Sequence, residues 1–148
     1  MARVALLDVN VLVALFDPDH VHHDLAHDWF ADHRPDGWAT CAMTESGVVR
    51  VISNPKYRPD PPRPAVAVDQ LRMLCASGHH HYWATSPSIR DAAVYALGTA
   101  RGHGQITDIF LLGLAKTMKG TLATFDRTIS IDAVRGATAD HLTLITPA

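Results

Sequence analysis

A chain of 148 residues, 47% hydrophobic and 19% charged, is long enough for one domain with a single core and too apolar to be disordered. A net charge of −2 excludes a protein that holds duplex nucleic acid through phosphate contacts alone, so any such role rests on local patches or on a bound cation. The two cysteines, Cys41 and Cys75, lie among apolar residues and outside any CxxC pair; this excludes a disulfide framework and points to a reducing cytosol.

The opening MARVALLDVNVLVALFDPDH places a basic residue ahead of apolar ones, as a signal peptide does. Asp8 and Asn10 interrupt the run and no small-residue cleavage site follows. The longest unbroken apolar stretch, Val11 to Phe16, is far short of the roughly 20 residues that span a bilayer, so neither secretion nor membrane insertion is expected.

Val4 to Leu7 reads as a strand buried on both faces of a parallel sheet, ending at Asp8. Asn10 is positioned to cap a helix over Val11 to Phe16 that stops at Asp17-Pro18. An amphipathic helix is expected from His22 to His33, then a strand from Trp38 to Cys41 entered through the Asp36-Gly37 turn. A helix over Thr44 to Ile52 leads into Asn54 to Pro64, which holds five prolines and must be a stiff, extended loop. Next come a helix from Ala65 to Cys75, a strand over Tyr82 to Thr85 and a helix from Ser88 to Ala100. Thr107 to Met118 carries the fullest helix signals: Thr107 as cap, Asp108 in the first turn, Lys116 and Lys119 at the end and Gly120 as the stop. Thr121 to Phe125 and Leu142 to Ile145 supply the last strands. Strands alternate with helices without a repeat, which argues one α/β domain over 1–148, with a central, mainly parallel sheet covered by helices on both faces. Sites in such folds form at the carboxyl ends of strands.

Four acids occupy such positions. Asp8 ends the first strand, Glu45 and Asp108 open helices, and Asp126 follows the strand Thr121 to Phe125. Taken singly, a helix-opening acid needs no role beyond complementing the helix dipole, and an Asp after a strand is commonly a turn former. Asp8 is harder to explain that way. It lies between two apolar runs, where an unpaired charge is costly, and only Arg3, at the far end of the strand, is close in sequence.

The segments LLDVNVLVAL, MTESGVVRVISNP, HGQITDIFLLGLAK and TLATFDR occur in the order and spacing of the PIN-domain family, and the chain resembles its VapC-type toxins from near the amino terminus to Arg127. The resemblance implies a PIN-like three-layer sandwich. It also implies an acidic triad of Asp8, Glu45 and Asp108, a more variable fourth acid at Asp126, and supporting polar residues at Asn10 and Thr107. The implied activity is an endoribonuclease dependent on Mg²⁺, or Mn²⁺, in which water attacks an RNA phosphodiester and leaves a 5′-phosphate and a 3′-hydroxyl. Transfer, ribosomal and messenger RNA are all open as substrates. The implied setting is the cytoplasm, as the toxin half of a toxin–antitoxin pair, with a VapB-like antitoxin that blocks the cleft and a homodimer formed through helices. The residue types suit this chemistry: carboxylate oxygens are hard ligands, and four of them crowded together would repel strongly unless a cation joined them.

Arg50, Lys56, Arg58 and Arg63, with Tyr57 among them, form the densest basic stretch and are either a groove edge for RNA phosphates or a solvated loop. Arg127 is a further phosphate contact or an ion-pair partner of Asp126. His20, His22, His23 and His27 and the trio His79 to His81 raise the idea of zinc; without an HExxH or a neighbouring cysteine, surface histidines are the expectation. His103, ahead of Asp108, is nearer the acids. Two other classes fit an α/β chain. A haloacid-dehalogenase-type phosphatase wants a second Asp two residues after the first, where this chain has Asn10, and a receiver domain wants paired acids before its first helix, which are absent. A non-catalytic protein that keeps the PIN fold is the remaining alternative, and no missing acid favours it.

Overall fold

The computed structural model describes residues 2–147. Five short strands form one sheet: β1 Ala5–Leu7, β2 Trp38–Thr40, β3 His80–Tyr82, β4 Thr121–Thr124 and β5 Leu142–Leu144. Their order is β3-β2-β1-β4-β5, and every pairing is parallel. Five α-helices connect them: α1 Val9–Phe16, α2 His23–His33, α3 Ala42–Ile52, α4 Pro64–Cys75 and α5 Ile106–Thr117.

Successive side chains of a strand point to opposite faces, and here that alternation divides the core in two. Ala5, Leu7, Trp38 and Ala123 pack with Val11 to Leu15, Ala26, Phe30, Val48, Ile52, Ala67 and Leu71, so α1 to α4 cover one face. Leu6, Ala39 and Leu122 pack with Ile109, Leu111, Leu112 and Leu114 of α5 and with Trp83, Tyr95 and Val134 on the other. The expected three-layer arrangement is therefore present, with strands buried on both sides as a parallel sheet requires. Phe30 and Ile52 belong to the core, while Trp29 and Val49 are half-buried against it. No helix among the described residues is long and apolar enough to cross a membrane.

Three local expectations are corrected. Ser88 to Ala100 is not a helix but a run of turns with a 3₁₀ turn at Leu97–Thr99. Its backbone is satisfied by a distant segment instead: Ala96 N–H donates to Ala133 O and Arg135 N–H to Val94 O, both at 2.8 Å. The buried Tyr95 ring lies over Gly113 of α5, where a Cβ would meet the ring at 2.4 Å, and its hydroxyl donates to Phe110 O at 2.8 Å. Strand β3 lies two residues earlier than Tyr82 to Thr85, although Trp83 N–H still reaches Thr40 O at 2.9 Å. The helix caps differ too. Asp8, not Asn10, caps α1, accepting from Val9 N–H at 2.7 Å, and Thr107 is already inside α5, whose start is extended by the 3₁₀ turn His103–Gln105.

The proline-rich connection is a loop, as expected, and α4 begins at Pro64, a position where the missing N–H costs nothing. The loop is tied to the end of α1 by Tyr57, whose hydroxyl donates to Asp17 Oδ2 at 2.5 Å, and by Arg58, 3.5 Å from Asp17 Oδ1. Two of the histidines have structural duties. His23 Nδ1 lies 2.7 Å from Ala14 O and His27 Nε2 lies 2.9 Å from Leu15 O, so each nitrogen carries its proton toward a carbonyl left unpaired at the end of α1.

Candidate active site

The sheet fans out from β1, with β2 on one side and β4 on the other. A crevice opens beyond the carboxyl ends of strands where the winding reverses, and three of the four predicted acids meet there. Asp8 leaves β1 and is 5% exposed; its Oδ1 accepts from Val9 N–H and its Oδ2 from the Thr124 hydroxyl at 2.8 Å. Asp126 lies two residues past β4. Its N–H donates to Thr124 Oγ1 at 3.0 Å, and its Oδ1 accepts from the N–H and hydroxyl of Thr128 at 2.8 and 2.7 Å. Asp108 projects from the first turn of α5, and its carboxyl group lies against that of Asp126.

Thr124 organises this cluster. It is fully buried, donates to Asp8, and accepts from Asp126 N–H and from Asn10 Nδ2 at 3.2 Å. Asn10 Oδ1 in turn lies 3.5 Å from Phe125 N, so Asn10 clamps α1 to the end of β4 rather than capping a helix. Sequence reasoning missed Thr124. The available signal was a hydroxyl at the end of a strand buried on both faces, where a polar group must have partners.

The three carboxyl groups are not equivalent. Burial raises the Asp8 carboxyl above its ordinary range; the hydrogen bonds from Thr124 and Val9 oppose this and the charge of Asp126 adds to it. Asp108 is pushed up to about 7, first by burial, then by the charge of Asp8 and by its contact with Asp126. Asp126 is held below the ordinary range, chiefly by Thr128. No Lys or Arg pairs with any of the three, since the ion pairs among the described residues are Arg58–Asp17 and Arg72–Asp69. Two like charges about 4 Å apart repel by roughly 4 kcal/mol at an effective dielectric near 20. Hard oxygen ligands in that condition fit a divalent cation, which would relieve the repulsion and keep several waters of its own.

Asp8, Asn10, Thr107 and Asp108 line one cleft together with His20, Arg50 and Val51. Arg50 therefore stands on the wall of the cleft that Asp8 and Asp108 share. Arg127 is exposed and forms no ion pair with Asp126 among the described residues. Lys56 is exposed in the proline-rich loop and is not part of the cleft wall, and His103 is exposed outside it. His20 was hidden from the sequence reading among its neighbouring histidines.

Glu45 has different partners. Its Oε2 accepts from the Thr40 hydroxyl at 2.6 Å, and it lies beside Cys75 and His80. The helical period explains this. Gly47 packs directly on Val9, the residue after Asp8, where a Cβ would come within 2.7 Å of Val9 Cγ2. Glu45 precedes Gly47 by two residues, about 200° around the helix, and so leaves α3 on a different side from Gly47.

The PIN domain model matches residues 5–135. Among curated proteins the chain is 45% identical over 138 residues to "Ribonuclease VapC44" of Mycobacterium tuberculosis (strain ATCC 25618 / H37Rv), covering 93% of this chain and 96% of that one. It is 37% identical over 132 residues to "Ribonuclease VapC39" of the same strain, covering 89% and 95%. With "Ribonuclease VapC38" it shares 43% identity over 123 residues, covering 83% and 85%. The all-parallel sheet, the aspartates gathered where its winding reverses and these near full-length matches agree, and the chain belongs to the PIN-domain family, in the branch that contains the VapC ribonucleases.

Proposed function

We propose that this protein is a divalent-metal-dependent endoribonuclease and the toxin of a VapBC-type pair. The observation that carries the proposal is the convergence of Asp8, Asp108 and Asp126 on one crevice with no basic partner among the described residues to offset them. Asp8 and Asp108 would hold the ion, Mg²⁺ or Mn²⁺, with Asp126 bound directly or through water. A divalent ion in this position supplies charge neutralisation for a scissile phosphate and lowers the pKa of an attacking water.

The protein's own groups prepare that chemistry. Two hydrogen bonds fix the Asp8 carboxylate so that it need not reorganise. Burial, the charge of Asp8 and the contact with Asp126 favour the protonated form of Asp108, and a bound cation would favour the charged one. Arg50, on the wall of the same cleft, is placed to meet a phosphate of an extended RNA strand, and Thr107 offers a hydroxyl beside it. Arg127 is a further candidate for such a contact. Glu45, the remaining acid of the set that the resemblance implies, has its carboxylate held by the Thr40 hydroxyl.

The substrate is RNA, cleaved to a 5′-phosphate and a 3′-hydroxyl in the cytoplasm. A VapB-like antitoxin would block the crevice, and a homodimer would form through helices. The decisive assay incubates the purified protein with total RNA and Mg²⁺ or Mn²⁺, with and without EDTA. Cleavage lost with chelator, lost in Asp8→Asn, and unaccompanied by turnover of small phosphate esters supports the proposal. Ester turnover would favour a phosphatase, and a folded protein inert toward RNA with either ion would favour a non-catalytic binder.

A further inference from the structure

We infer that Thr40 and His80 are positioning residues for Glu45, doing at the end of β2 what Thr124 does for Asp8 at the end of β4. The inference rests on the nuclease reading above, in which Glu45 belongs to the acidic set. β2 and β4 flank β1 on its two sides, and the last residue of each is a fully buried threonine. Thr124 donates to Asp8 Oδ2 at 2.8 Å, and Thr40 donates to Glu45 Oε2 at 2.6 Å. Each hydroxyl also accepts: Thr124 from Asn10 Nδ2 at 3.2 Å, Thr40 from His80 Nε2 at 2.8 Å. The same device thus stands on both sides of the central strand.

The direction of these bonds follows from the groups involved. A carboxylate can only accept, so the one hydroxyl proton of Thr40 goes to Glu45 and its oxygen takes the proton carried by His80 Nε2. Buried away from water, the hydroxyl has no other way to turn. The sheet explains why the imidazole is there. Side chains two residues apart share a face of a strand, so Thr40 emerges on the side of Trp38, and parallel pairing sets Trp38 beside His80. The two rings lie 4.6 Å apart. On the other side Cys75 Sγ, at the end of α4, is 3.5 Å from His80 Nε2. The chain between Cys75 and His80 is bent back by left-handed backbone at Gly78 (φ 111°) and at His79 (φ 64°), a conformation that a residue with a Cβ adopts only when its surroundings impose it.

A glutamate in the first turn of a helix is free to sweep solvent, and ordering it when an ion or substrate arrives costs side-chain entropy. The Thr40–His80 pair meets that cost in advance, as the fixed partners of a functional side chain do. Arg50 lines the cleft of Asp8 and Asp108 and also the neighbouring groove that Glu45 lines. An RNA strand passing Arg50 would therefore run by both the aspartates and the held glutamate.

The test uses the purified full-length protein, with Mn²⁺ alone as the probe of binding and an RNA that the wild type cleaves as the probe of turnover. Thr40→Val and His80→Leu should each weaken Mn²⁺ binding and lower kcat by roughly 10–100-fold, as happens when the hydrogen-bond partner of a functional carboxylate is removed. Thr40→Ser and His80→Gln keep a hydroxyl and an N–H donor and should recover most of both. Glu45→Ala separates positioning from general structure. In that background neither Thr40→Val nor His80→Leu should weaken Mn²⁺ binding further, because a residue that acts through Glu45 has nothing left to act on. Far-UV circular dichroism identifies variants that fold, and should Thr40→Val fail, His80→Leu on the half-buried edge strand decides. Wild-type Mn²⁺ binding and turnover in folded His80→Leu, or a loss that adds in full to that of Glu45→Ala, would overturn the inference and leave the nuclease reading intact. A wild-type protein that neither binds Mn²⁺ nor cleaves RNA would remove that reading and this inference with it.

Discussion

Thr124 Oγ1 and Asp8 Oδ2 meet at 2.8 Å from neighbouring strands, although 116 residues separate them along the chain. The bond gives a buried carboxylate one of its two protein donors. Thr124→Val keeps the shape and removes the donor, so Asp8 is left with an unmet acceptor, at a cost of about 1–3 kcal/mol in stability. Metal affinity at the crevice should fall by roughly 10–100-fold, the usual effect of losing a group that orients a ligand. Urea unfolding and Mn²⁺ titration measure the two effects, and Thr124→Ser should restore most of both. Equal behaviour of the Ser and Val variants would mean that shape, and not the hydroxyl, matters.

Asp108 links charge to stability with a definite sign. Its folded-state value, near 7, lies above the ordinary carboxyl value, so the native state holds this proton more tightly than the unfolded chain does. Its contribution is therefore fully present below about pH 4 and is lost as pH rises toward 7. Asp108→Asn removes the penalty and should stabilise the metal-free protein at pH 8, by roughly 1–2 kcal/mol once the half-exposed position is discounted for solvent screening. The same variant should lose RNA cleavage. Calorimetry without metal at pH 5 and pH 8 tests this: a Tm gain larger at pH 8 than at pH 5 is expected, and a loss at both would refute it.

Asp17 has the opposite sign. The Tyr57 hydroxyl, then Asp19 N–H and Arg58, hold its carboxyl below the ordinary range against the cost of burial. Its stabilisation is present above about pH 4, the unfolded value, and disappears as pH falls through the folded one. Tyr57→Phe should cost roughly 1.5–3 kcal/mol at pH 7, typical of a hydrogen bond to a charged group, and much less at pH 2.5. Denaturation of both proteins across that range is the check, and a difference independent of pH would assign the loss to packing alone.

Gly47 sets how closely α3 approaches the start of α1. Gly47→Ala improves helix propensity, yet the added Cβ would come within 2.7 Å of Val9 Cγ2. Overpacking should dominate, with a loss of about 1–3 kcal/mol, and Val9→Ala should recover part of it in the double variant. A more stable Gly47→Ala protein would mean that the two helices separate easily.

Arg50 should act through substrate binding. Arg50→Gln is expected to raise KM for RNA with little change in kcat and to flatten the dependence of binding on salt, as the loss of one phosphate contact does. A fall in kcat at unchanged KM would place Arg50 in the chemical step instead.

The sheet, the helices and their order were legible because each rests on a strong local pattern: short apolar runs for strands, apolar periodicity for helices, and turn formers between them. Ser88 to Ala100 was not legible, since its apolar spacing resembles a helix while the interactions that decide its structure lie at Phe110, Gly113 and Ala133. Asp8 announced itself as a charge between two apolar runs, and Asp108 and Asp126 by their places at the ends of elements. Glu45 shows the limit of that reasoning. A first-turn acid can face any direction, and only the packing of Gly47 on Val9 fixes the rotation of α3. The grouping of Cys75 with His80 was equally out of reach, because the intervening turn depends on a left-handed histidine that no composition rule anticipates.

The strand at the middle of the sheet is made before its neighbour β4, and the two strands are far apart along the chain. At ordinary elongation rates the carboxylate at position 8 waits on the order of 10 s for the hydroxyl that will hold it. A nascent chain thus carries the acids without the crevice. The centre cannot assemble until β4 has been made.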